Sequence, residues 1–420
     1  MERSALSSNP NTPAGILSKL AEDNNRWVRQ GVAGNPNAPA EVLERLAGDE
    51  DLWVRRNIAE NPSAPGSILE WLAGDRDTMT KVRVAQNPST PTQALEHLAE
   101  DDNPEVRREV AKNPNTPAEV LERLAEDKDW KVRKGVASNP RTPREILERL
   151  AKDWLVLHEV ARNESTPGET LEYLAEDDNP EVRREVAKNP NAPVKVLEWL
   201  AGDPSWRVRQ EIACNPSTPG EILEWLARDK KWEVREKVAQ NPSTPGYVLE
   251  GMARDRKWEV LQEVARNPNT SVPALERLAR SRDAHIRAGV AQNPNAPAPI
   301  LKQLARDEYR WIGEEVAKNP NTPAPVLVEL AGDQDLWVRR GVAQNPSTPV
   351  HVLVGMYRDS DVEVQGIVVK RLLGQLEELP EDPALWLFLW EMAGDEDRQR
   401  IEEHPYGAQI AVLAGLSCPC

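Results

Sequence analysis

An all-α solenoid, built of short two-helix repeats without β-sheet, is the fold this chain predicts. Three observations lead there. The dipeptide Asn-Pro falls at Asn9, Asn35, Asn61, Asn87, Asn113 and Asn139, then from Asn189 through Asn345, with successive marks 26 residues apart. One step is 24 residues, from Asn139 to Asn163, where Asn163-Glu164 replaces the dipeptide. A constant period of this size is the signature of stacked repeats. Inside each period, apolar residues recur at helical spacing. Each period is also too short to bury its own apolar stripe, so neighbours must cover it.

The repeat at 113–138 justifies each element in turn. Thr116 reads as an N-cap, Pro117 suits the first helical position, and Glu119 would complete a capping box. The first helix then places Val120, Leu121, Leu124 and Ala125 on one face and ends near Asp127. A second helix starts near Trp130 and buries Val132, Val136 and Ala137. Asn139 precedes proline, a position biased away from helix, so the repeat stops there. Helices this short do not persist alone in water.

About fourteen such repeats fill residues 1–370. Residues 371–420 read as a degenerate helical cap: Arg371-Leu372 replaces Asn-Pro, and Ala384 to Trp390 is apolar. Met392-Ala393-Gly394-Asp395, Ile401 and His404-Pro405 look like a contracted repeat. The segment before Asn9 is too short to cap the first repeat. An apolar end is expected there, open to end-to-end self-association or to an upstream domain.

The elements Thr-Pro, Leu-x-x-Leu-Ala-x-Asp and Val-Arg-x-x-Val-Ala, spread over roughly Asn9 to Val369, resemble the bacterial leucine-rich repeat variant family. The resemblance implies a right-handed superhelix of alternating α- and 3₁₀-type helices, related to HEAT and armadillo solenoids. Some members of the family carry an iron–sulfur cluster on an N-terminal cysteine cluster. This chain has no cysteine before Cys214, so that cofactor is not carried over and none is expected.

Composition narrows the partner. A net charge of -16 disfavours a surface built to hold nucleic acid or anionic lipid. Three cysteines, Cys214, Cys418 and Cys420, make no disulfide framework. Met1 to Ser8 lacks the apolar core of a signal peptide, and no apolar run approaches a membrane span. A cytoplasmic protein without a membrane partner is expected. The terminal Cys418-Pro419-Cys420 resembles a prenylated tail or half a metal site, but an inert tail is the default reading.

Four polar or variable rows run along the repeats. An Arg follows the first Val of the second helix, as at Arg29, Arg55, Arg107, Arg133, Arg183, Arg209, Arg235, Arg287 and Arg339, with breaks at Leu157, Leu261 and Gly313. An Asp closes the first helix, as at Asp49, Asp75, Asp127 and Asp203. Pairing between these rows is the structural reading; an outward Arg strip for phosphates is the functional one. Glu recurs mid-helix from Glu44 to Glu276 and reads as a solvated stripe. The residue after it varies most and is aromatic at Trp71, Tyr173, Trp199 and Trp225, with Tyr247 close by. These five are the candidate partner-binding residues, because aromatics are favoured as binding anchors. Padding between repeats is the alternative. A second series, including Trp27, Trp53, Trp130, Trp154, Trp258, Trp311 and Trp337, opens the second helices and is expected to pack over the inter-helix turn.

Nothing points to catalysis. The five histidines lie in separate repeats, and neither a phosphate loop nor a nucleophile motif occurs. The leading expectation is a non-enzymatic scaffold that binds a protein or peptide along its concave surface. The alternatives are a nucleic-acid-binding solenoid using the Arg row, and a self-associating structural protein. The lapse at 153–164 is expected to kink the stack and is the first place to look for a pocket.

Overall fold

The computed structural model describes residues 2–413, with side chains through 410. The described residues contain helices and no strand. The chain divides into two compact units, Met1–Ser217 and Thr218–Cys420. The first holds eight helix pairs, from Ala14–Leu20 with Arg26–Ala33 to Val194–Ala201 with Trp206–Cys214. The second holds six pairs, from Gly220–Leu226 with Trp232–Gln240 to Val350–Met356 with Val362–Leu373, followed by three further α-helices. Each is a helical solenoid. No helix among the described residues is long and apolar enough to cross a membrane.

In the repeat at 113–138 the helices run Ala118–Leu124 and Trp130–Ser138. The expected core residues Val120, Leu121, Leu124, Ala125, Val132, Val136 and Ala137 are all buried. The same ladder of Leu, Val and Ala recurs through both units. Both helices of the repeat are α-helical, and among the described residues the one 3₁₀ turn is Leu376–Glu378, so the α/3₁₀ alternation implied by the resemblance is corrected.

The capping expectation also changes. Thr116 does not cap the first helix: its hydroxyl donates to the carbonyl of Val110, 2.6 Å away in the preceding second helix. Pro117 stands at the N-cap position in extended conformation, without a side-chain bond to the helix. The hydroxyl is consumed in tying the Asn-Pro turn to the helix it leaves. Capping falls instead on the second helix, where the Asp129 side chain accepts from the amide of Lys131.

Successive second helices pack closely along one another, whereas successive first helices touch each other little. Glycine permits the closest approaches. A Cβ on Gly135 would lie 2.9 Å from Ala111 Cβ and 3.0 Å from the Arg108 carbonyl. The first-helix layer is therefore the more open one, with grooves between its members.

Residues Glu2–Ser8, expected to be too short to cap, form a helix that packs on Arg26–Ala33. Arg3 donates to Asp23 at 2.6 Å, as second-helix arginines do to the Asp of the following repeat. This segment thus repeats the bonding of a second helix. In the second unit, Val362–Leu373 runs on past the usual stop because Arg371-Leu372 lacks the proline. Helix Pro383–Met392 then buries Leu385, Trp386 and Leu389. Trp386 donates from Nε1 to the Pro380 carbonyl and stacks on His404, ring centres 4.6 Å apart. Cys418-Pro419-Cys420 lies outside the described residues.

Candidate functional site

The polar rows decide which residues remain free for a partner. Asn113, buried at the end of its second helix, donates from Nδ2 to the carbonyls of Ala85 at 2.7 Å and Asn87 at 3.0 Å, both in the preceding repeat. Its Oδ1 accepts from the amide of Asn115. The pattern recurs at Asn61, Asn139, Asn189 and, in the second unit, at Asn293 and Asn345. The Asn of Asn-Pro is therefore an inter-repeat staple as well as a stop. Arg371 takes over that task where Asn is missing: its Nη1 donates to Ala343 at 3.0 Å and Asn345 at 2.6 Å. Burial lowers its pKa below the ordinary guanidinium value.

The Arg row is engaged in the same way. Arg107 donates to Asp127 of the next repeat from Nε at 2.6 Å and from Nη2 at 3.0 Å. Its Nη1 donates back to the Asp101 carbonyl of its own turn. Arg55–Asp75, Arg183–Asp203, Arg235–Asp255, Arg287–Asp307 and Arg339–Asp359 repeat the bidentate fork. Burial pushes the Asp127 carboxyl up, but hydrogen bonds from Arg107 and the Asp129 amide outweigh it, and the net shift is downward. These arginines join repeats and are largely sheltered. An Arg strip for phosphates would need them unpaired.

The lapse at 163 keeps the staple. Asn163 still reaches the carbonyls of Ala137 at 2.7 Å and Asn139 at 2.8 Å. The missing residues are taken from the second helix, which shrinks to Leu157–Arg162. Its packing on Trp130–Ser138 is thin. A groove of about 710 Å³ opens there, lined among others by Lys134, Glu159 and Arg162, with Lys134 and Glu159 paired at 2.7 Å. No group of three or more His, Cys, Asp or Glu suited to a metal occurs among the described residues.

What stays uncommitted is the candidate aromatic row. All five candidates are between 52% and 61% exposed. In the first unit, Trp71 lies on Gly66–Leu72 beside a groove of about 550 Å³ lined with Asp49, Glu50, Asp75 and Arg76. Tyr173 and Trp199 lie apart from it, on the neighbouring first helices Gly168–Ala175 and Val194–Ala201. In the second unit, Trp225 lies on Gly220–Leu226, and Tyr247 opens Gly246–Met252. Tyr247 donates to Glu224 at 3.0 Å, which holds its phenol above the ordinary pKa. Between these helices lies a groove of about 350 Å³ next to Gly251, whose missing side chain leaves open space.

The second Trp series behaves otherwise than expected. Trp27, Trp53 and Trp337 are half exposed, each with an arginine over its face: Arg26 at 4.9 Å, Arg56 at 4.5 Å and Arg340 at 5.3 Å. In the second unit His285 sits between Trp258 and Trp311, 5.4 Å from each ring centre. Sequence reading did not bring His285 into this series, although it occupies the same position as Trp311, one residue before the branched apolar residue.

Comparison with known proteins agrees with the repeat type. The family model described as Leucine rich repeat variant matches residues 26–51, 130–153, 232–256 and 284–308. A second, the Leucine Rich Repeat Variant domain, matches 79–137. The chain is thus a helical solenoid carrying leucine-rich-repeat-variant units. No curated protein matches it. A solved leucine-rich repeat variant with a novel repetitive structural motif is 25% identical over 58% of this chain and 87% of its own, with a TM-score of 0.37. Kap121p bound to Ste12p is 11% identical over 98% of this chain and 53% of its own, with a TM-score of 0.30. Kap95p, whose binding induces the switch loops of RanGDP to adopt the GTP-bound conformation, is 12% identical over 96% and 62%, with a TM-score of 0.33. The chain therefore spans little more than half the length of these two proteins.

Proposed function

We propose that the chain is a non-enzymatic scaffold that docks a protein or peptide on first-helix surface, with Tyr173 and Trp199 as the anchors in the first unit and Trp225 and Tyr247 as separate anchors in the second. One observation carries the reading: these rings stay more than half exposed on the first-helix layer, while the Asn and Arg rows are consumed in joining repeats. Large aromatics left in solvent cost apolar exposure that a partner would relieve. Padding between repeats would have buried them. We assign the docking face by its residues and place it on the open first-helix layer.

The test is a combined Tyr173→Ala, Trp199→Ala, Trp225→Ala variant compared with the parent chain in quantitative affinity capture from the native host. The expected result is loss of a defined set of partners with unchanged circular dichroism and thermal unfolding. Identical capture by a folded variant would remove the site. Nucleic-acid binding at low salt by the parent chain would replace the reading.

A further inference from the structure

We infer that the surface around Tyr173 and Trp199 takes a partner segment bearing arginine or lysine, an inference that rests on the docking reading above and names its chemistry. The chain supplies its own comparison. The variable position after the Glu row is arginine at Arg45, Arg123, Arg149 and Arg277. Where the preceding repeat offers a carboxylate the guanidinium reaches back to it: Arg45 to Glu22 at 2.8 Å, Arg123 to Glu100 at 2.8 Å, and Arg149 to Glu126 at 3.6 Å and Glu122 at 3.7 Å. The groove between those first helices is neutralised from inside. Arg277, which has Arg254 at that place, donates instead to the Glu250 carbonyl at 3.4 Å.

At Tyr173 and Trp199 the same position has lost its cation. Glu176 precedes Trp199 by the offset that Glu22 has from Arg45, yet no ion pair holds it among the described residues. Glu148 and Glu198 are likewise without an ion pair. Lys195 is engaged by Glu172 at 2.5 Å, and Lys152 holds, relative to Tyr173, the repeat position that Glu22, Glu100 and Glu126 hold relative to Arg45, Arg123 and Arg149. Carboxylate without an internal cation therefore stands at the Trp199 end of this surface, at Glu176 and Glu198, while Lys152 takes the corresponding place for Tyr173.

A partner's guanidinium or ammonium fits that vacancy from outside. At Trp199 it would meet Glu176, which holds the position of the carboxylates that Arg45, Arg123 and Arg149 meet from inside, and gain a ring face as well. The chain already uses this pairing at Arg26 with Trp27 and Arg56 with Trp53. The net charge of -16 adds a long-range pull on a basic segment.

The experiment titrates the full chain against a fluorescein-labelled Gly-Ser peptide carrying spaced arginines, with matched peptides carrying glutamine or glutamate instead, read by anisotropy. The arginine peptide should bind, more weakly as salt rises. Glu176→Gln should weaken it several-fold. Trp199→Arg, which restores opposite Glu176 the internal cation seen at Arg123 and Arg149, should weaken it about tenfold or more while thermal unfolding stays unchanged. Equal binding to that variant, or no preference over the glutamine peptide, overturns the inference, as does absence of binding. Glutamine and arginine peptides bound alike, and both lost in Tyr173→Ala with Trp199→Ala, would leave the docking face standing and remove only its basic partner. Arginine-peptide binding indifferent to every one of these variants would remove the docking face too.

Discussion

Asn113 shows how much one side chain does here. Its amide satisfies two buried backbone carbonyls of the repeat before and one part-buried amide of its own turn. Asn113→Ala leaves those groups unpaired and should cost about 3 kcal/mol, measured by urea unfolding. Asn113→Asp should cost more, because a carboxylate would face two carbonyls. The stop at Asn-Pro was legible in the sequence, since proline dictates it. The staple was not: a hydrogen bond spanning 26 or 28 residues leaves no local trace beyond the invariance of the residue. Thr116 was misread for a similar reason. Its position before Pro117 fits a cap, but the carbonyl of Val110 lies closer to hand.

At the scale of the element, helix spacing hinges on what the second helices tolerate at their contacts. Gly135→Ala should destabilise by about 1–3 kcal/mol, because the new methyl collides with Ala111 and the Arg108 carbonyl. Gly366→Ala is the control: nothing lies within 4 Å of that Cβ, so the helix should gain about 0.5–1 kcal/mol. Thermal unfolding of the two variants should move in opposite directions. Helix pairs, their apolar faces and the start of the second helix near Trp130 were readable from spacing, whereas the first helix stops at Leu124, before the Asp127 expected to close it. Which layer packs more closely was not, because small residues such as Gly135 and Ala111 matter through their neighbours across the stack.

At the scale of the whole molecule, the Arg–Asp seams should govern behaviour in acid. Asp127, Asp255, Asp307 and Asp359 have pKa values below the ordinary one: burial opposes this, and their arginines and backbone amides prevail. A lowered carboxyl pKa adds stability that is fully present above the unfolded value, near about 3.9, and lost as pH falls through the folded value. Melting temperature should therefore hold down to about pH 5 and drop below about pH 4. Glu211 and Glu236, which burial raises, act with the opposite sign and should lift stability slightly as they protonate first. A Tm that declines steadily from neutral pH would contradict this. The candidate site was legible only in part. The row of Trp71, Tyr173, Trp199 and Trp225 stood out because it varies while its neighbours hold. The carboxylates around it became informative only once the distances showed which ones Arg45, Arg123 and Arg149 already serve.

The two kinds of inter-repeat bond point in opposite directions along the chain, and that gives the stack a grammar. Each asparagine reads the repeat already laid down, whereas each arginine fork waits for the aspartate of the one to come. A repeat leaving the ribosome can thus dock at once on its finished predecessor while keeping an open hand for its successor. Because the joint is the same at every Asn-Pro, removing a whole period such as 113–138 rejoins like to like. The variable row would simply lose one letter, so the proposed docking face can be lengthened, shortened or respelled without redesigning the protein that carries it.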